Sequence, residues 1–313
     1  MKIQVLAGLV LALACAAGTN LGGLWKQRGA TQTSDVDVRR PLQTAAALFR
    51  SKWFTIGWIV AALAWLLHVG ALALAPLSLA QAVISGGLVL LGVIAERFFG
   101  FDLDRRQWIA LILASVGMAV LAGTGGSQPS NSKYTIAEIA AFEGAALALG
   151  AAFVLSCRLG RLREHSGFLL GAAAGLMFGV SDVSIKAVTT GSHGLLGAPW
   201  GVIGLIAGVA AFYASARSFQ VGEAVTVITA TAATANVLGI LGGIVVFGDP
   251  LGKDPAMVAA RVTAFLLVVV AVGLIPAPMK ARARAEEQAR EDEREAARPQ
   301  PAAAAQPAAS TSP

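Results

Sequence analysis

Residues 71–100 read ALALAPLSLAQAVISGGLVLLGVIAERFFG. One apolar run ends near Leu74. Pro76 breaks it, because proline lacks an N–H and clashes with the preceding turn. A second run goes from Leu77 to about Ala95 and stops at Glu96-Arg97. At about 1.5 Å per residue it covers the hydrocarbon core of a bilayer, which is ~30 Å thick. The two runs predict a transmembrane hairpin with almost nothing outside the membrane at its turn.

The same design returns later. FYASARSFQVGEA at 212–224 leads into a run ending at Phe247-Gly248-Asp249-Pro250. Asp249-Pro250 ends it as Glu96-Arg97 ends the first. Apolar runs of similar length recur along most of the chain. Of the 313 residues, 56% are hydrophobic and 13% charged, against about 25% charged in soluble domains. This is the composition of a polytopic membrane protein. The net charge of +6 does not imply nucleic acid, since the basic residues lie in short loops between spans, where membrane insertion places them. Cys15 and Cys157 have neither metal nor redox spacing and are expected to serve packing.

The runs predict an all-α fold with about nine spans: 3–24, 53–74, 77–95, 108–123, 136–156, 168–188, 200–216, 224–247 and 256–275. Lys2 and Ala12-Leu13-Ala14 also suit a signal peptide. Cleavage there would export Lys26, Arg28, Arg39, Arg40, Arg50 and Lys52, so a true first helix is the better reading. The alternate loops on one side hold these six with Arg97, Arg105, Arg106, Arg158, Arg161, Arg163 and Arg217; the other side's loops hold Lys133 and Lys253. This bias predicts a cell-membrane protein with its N-terminus outside and its C-terminus cytoplasmic. The tail at 279–298 mixes charges as an exposed helix would, and 299–313 has nothing to bury.

Spans 1–4 match spans 6–9. His68 through Gln81 aligns without a gap on Tyr213 through Thr226, and Lys26 on Lys186. An odd number of spans separates the two starts, so the units are expected to be inverted, as in secondary transporters. The motifs GTNLGGLWKQRG at 18–29 and ALAPLSLAQAVISGGLVLLGVIAERF at 73–98, with a span ending VGMAVLAGTG, resemble the drug/metabolite transporter superfamily. The EamA-type members and the NIPA-like magnesium transporter branch are the nearest in pattern. The resemblance implies two inverted four-helix repeats, residues 1–125 and 167–278. Residues 126–166 would supply a linking helix, and 279–313 a cytoplasmic tail. It also implies alternating access.

Ionisable groups inside a membrane cost about 2.5–3.5 kcal/mol at mid-helix and default to functional candidates. Asp182 is the first, with Lys186 one turn on and able to pair with it. His68 could carry a coupling proton. Gln81, its counterpart Thr226, Asn20 and Tyr213 complete the candidate substrate-binding set. Structural readings stand beside each: an ion pair orienting a helix, a packed neutral histidine, amides joining helices. Glu143 and Arg261 fall near span ends.

No P-loop, metal cluster or catalytic constellation is present in the sequence, so no enzyme, metal or cofactor is expected. Asp102 and Asp104 suit a helix cap. The first functional reading is a secondary transporter of a small metabolite or drug-like solute. A proton is the candidate coupling ion, the bilayer the surrounding partner and a homodimer a candidate assembly. The alternatives are a magnesium-type permease and a non-transporting scaffold. Magnesium prefers oxygen ligands. The NIPA-like pattern implies an acidic residue where this chain has Trp65. On that ground the sequence predicts that magnesium is not carried.

Overall fold

The computed structural model describes residues 3–37, 39–74, 77–124, 134–157, 165–189, 198–248 and 254–274. All lie in one compact unit, residues 1–277. The tail expectations, the Pro76 turn and the Gln81 side chain lie outside the described residues.

The described residues form ten helices and no strand: α1 (Ile3–Thr31), α2 (Pro41–Arg50), α3 (Lys52–Leu74), α4 (Leu77–Phe99), α5 (Arg105–Thr124), α6 (Ile136–Ser156), α7 (Ser166–Thr189), α8 (Ala198–Val221), α9 (Ala224–Val245) and α10 (Pro255–Leu274). Each of the nine expected runs overlaps one of these helices, and α2 is an addition. Helices suit a bilayer because they satisfy their own backbone groups. Among the described residues, six helices are fit to cross a membrane by length and composition: α1, α3, α6, α7, α8 and α9. The apolar stretch of α10, Pro255–Ala271, is shorter.

Local chemistry sets the ends. Asp104 caps α5, its Oδ1 accepting from Gln107 N at 2.8 Å while Gln107 Oε1 accepts from Asp104 N at 3.0 Å. Thr135 and Glu138 form the same reciprocal box at α6, satisfying amides that a helix start leaves open. Gly100, at φ +69°, ends α4 in the left-handed region that glycine tolerates. Nothing between Leu24 and Thr31 breaks the helix, so α1 runs seven residues past its expected end.

In one half α1 packs on α3 and α4. In the other, α7 packs on α8 and α9, while α6 lies against α7. α5 lies against α10, and α4 touches α9. The α1–α3 crossing is close because glycines face each other. A Cβ on Gly22 would come within 2.8 Å of Gly57 O, and one on Gly57 within 2.7 Å of Gly22 O. Small residues permit such approach in membranes. The outer surface carries Leu63, Trp65, Leu66, Leu205, Ile206 and Leu266, each more than half exposed. An apolar belt of this kind fits lipid.

Candidate functional site

A cavity of about 270 Å³ lies between the two halves, walled by α1, α3, α7, α8 and α9. Its walls are largely apolar, with Phe54 and Trp58 from α3, Phe178 from α7, Phe212 and Phe219 from α8, and Ile228 from α9. Thr19, Ser215 and Thr231 bring hydroxyls. The Thr231 hydroxyl is committed to Gly171 O at 2.9 Å. The rings brace one another: Phe212 lies 6.1 Å from Phe54 and 5.9 Å from Trp58, centroid to centroid.

Lys26 is the charged side chain among those lining the cavity. The sequence reading places it in a loop, but the longer α1 carries it into the wall. Its ammonium stands 5.1 Å from the centre of the Trp58 ring, a cation–π contact. Gly57 makes room for its stem, since a Cβ there would sit 2.7 Å from Lys26 Cγ.

The expected site residues do not converge on this cavity. Asp182 is exposed on α7 and is not among the residues lining the cavity. Among the described residues no ion pair joins it to Lys186, whose ammonium lies 4.4 Å over the Phe247 ring. His68 is half-buried on α3 and is not among the lining residues. Asn20 is buried and donates from Nδ2 to Gly87 O, joining α1 to α4. Tyr213 faces an outer groove between α7 and α8 and donates its hydroxyl to Pro41 O at 2.8 Å. Thr226 is buried at the start of α9 and donates to Glu223 Oε2 at 3.3 Å. Glu223, in the break between α8 and α9, also accepts from Gln107 Nε2 at 2.8 Å. Burial pushes its carboxyl above the ordinary range; these two bonds oppose that, and nearby Asp104 adds to it.

Two groups read as marginal gain definition. Arg261 donates from Nη2 to Thr124 O, tying α10 to the end of α5. Glu143 is 2% exposed inside α6. Its Oε1 accepts from the Ser184 hydroxyl at 2.7 Å, while Oε2 has no partner among the described residues.

No family model and no solved structure matches the chain. One curated protein does: a probable magnesium transporter, NIPA9, of Arabidopsis thaliana. The two are 24% identical over 284 residues, which span 85% of this chain and 81% of the relative. The chain is similar to a NIPA-like transporter. With several apolar helices of membrane-crossing length, the likeness supports a multi-pass membrane protein with a transporter's role. It favours the NIPA-like alternative over a general drug or metabolite transporter. Trp65 is 64% exposed and outside the cavity wall, so its lack of oxygen ligands says nothing about the cavity. The case against magnesium loses that support.

Proposed function

We propose that the chain is a NIPA-like membrane transporter that carries its solute through the cavity between its halves by alternating access. The observation that carries this reading is the similarity to a probable magnesium transporter across 85% of the chain. The pairing of helices supports the inverted repeat: α1 with α3 and α4 corresponds to α7 with α8 and α9, and the equivalent helices α5 and α10 meet. Residues 1–125 and 167–278 are the two units in this proposal, α6 links them, and the chain crosses nine times, N-out and C-in.

The relative's name makes a divalent cation, magnesium, the first substrate to test. Glu143 is a deep carboxylate that the sequence argument against magnesium leaves out, and a hard cation favours such oxygens. Expression in a magnesium-uptake-deficient bacterium is the test. Rescue of growth at low magnesium supports the cation reading. No rescue, with the protein present in the membrane, favours the second reading, a small metabolite. The lining of the cavity is the observation behind that second reading: aromatic rings and one ammonium.

A further inference from the structure

The central cavity has a charge but no counter-charge. Among the described residues Lys26 is its charged wall residue, and no carboxylate lines it. Among the described residues the Lys26 ammonium makes neither an ion pair nor a hydrogen bond; the Trp58 face is its partner. An ammonium drawn from water is costly unless it is paired. A cation–π contact returns at most about 2 kcal/mol. The position is built: Gly57 leaves space for the lysine stem, and Gly23 leaves space for Ile228, whose Cδ1 a Cβ at 23 would meet at 2.9 Å. The α8 wall offers the apolar rings of Phe212 and Phe219, with the Ser215 hydroxyl between them in sequence.

We propose that this cavity binds an organic anion, its carboxylate or phosphate on Lys26 and its apolar body against the Phe212 wall. The volume suits a compact ligand, being just below the usual ~300–1,000 Å³ range for such sites. A free cation meets like charge and few oxygens there. The proposal rests on the transporter reading and takes the metabolite side of it.

The test titrates the purified full-length protein with benzoate, inorganic phosphate, benzyl alcohol and magnesium chloride, following tryptophan fluorescence and calorimetric heat. Benzoate is expected to bind, and benzyl alcohol, which lacks the charge, to bind far more weakly. Lys26→Met should weaken benzoate by roughly ten- to a hundredfold, the scale of one charge-assisted hydrogen bond. Lys26→Arg should keep most of the affinity. If Lys26→Met does not fold, Ser215→Leu decides: it fills the cavity from α8 with Lys26 in place and should abolish benzoate binding. Phosphate binding without benzoate binding removes the apolar part of the site and overturns the proposal. So does wild-type protein that binds neither anion, or benzoate binding unchanged in Lys26→Met and Ser215→Leu. Magnesium uptake by a protein that ignores benzoate sinks the anion site and leaves the transporter reading standing. Lys26-dependent benzoate binding without movement of any solute does the reverse.

Discussion

Replacing Gln220 by alanine should unfasten α8 from the segment that follows α1. The Gln220 amide donates from Nε2 to Ala30 O at 3.1 Å and to Ser34 O at 3.0 Å. Its Oε1 accepts from Val36 N at 3.0 Å and from Arg217 Nη1 at 3.1 Å. The side chain is buried, and Ala30 beneath it is fully so. Alanine therefore removes these bonds; Ala30 O keeps the Thr33 amide and hydroxyl, and water can replace the partner of Ser34 O, because Ser34 is exposed. Three backbone bonds are lost; at about 1 kcal/mol net for each they amount to roughly 3 kcal/mol. The Arg217 bond is left out of that sum, because Arg217 keeps Asp35 at 2.6 Å. Each kcal/mol moves the midpoint of a 150–250-residue unit by about 2–4 °C, so the expected fall is roughly 6–12 °C. Thermal unfolding in detergent, followed by a thiol-reactive dye, reads this directly, since Cys15 is buried until α1 comes away. Gln220→Glu keeps the acceptor and loses the two donors, and should fall in between. A Gln220→Ala midpoint equal to wild type would refute the clasp.

Asp35→Asn should change the same midpoint little: Asp35 is 81% exposed, and exposed pairs contribute about 0–1 kcal/mol. Gly175→Ala should destabilise by about 1–3 kcal/mol, because the new Cβ would stand 2.4 Å from Thr231 O across the α7–α9 contact; a midpoint equal to wild type would show that the helices part freely. Glu223 has a folded-state pKa raised above its unfolded value, so it holds its proton more tightly when folded, and stability should fall as pH rises from the ordinary carboxylate range through the raised value. Glu223→Gln should flatten that slope in pH-dependent melts, and an unchanged slope would assign it to another group. Asp182→Asn should leave transport near wild type because Asp182 is not among the residues lining the cavity; a large loss in a folded protein would return Asp182 to the site.

The helices were largely legible in the sequence and their faces were not. Pro76 stands just before α4, which runs through Glu96-Arg97 to Phe99, and Asp104 announces the start of α5 by its capping chemistry. The end of α1 is not legible because the charges of Lys26 and Arg28 resemble the end of a span, although no helix breaker stands there. α2 hides in a basic stretch, marked by Pro41 at its first turn. The site was the harder part. These helices are apolar nearly all round, so periodicity does not say which side looks inward. Asp182 and Trp65 draw notice by residue type, yet neither is among the residues lining the cavity. Phe212 and Trp58, which wall the cavity, look like ordinary span residues. The one signal available was Lys26 itself, once α1 is allowed to continue through it.

Uptake into proteoliposomes tests the central claim most directly: the chain moves a solute, and the cavity between its halves is the route. Vesicles of purified protein would be offered magnesium, read by an entrapped indicator, and radiolabelled benzoate, each down its gradient. The account predicts uptake of at least one above protein-free vesicles, lost in Ser215→Leu, which fills the cavity. Vesicles holding folded protein that pass neither solute, or uptake that Ser215→Leu leaves unchanged, would contradict it.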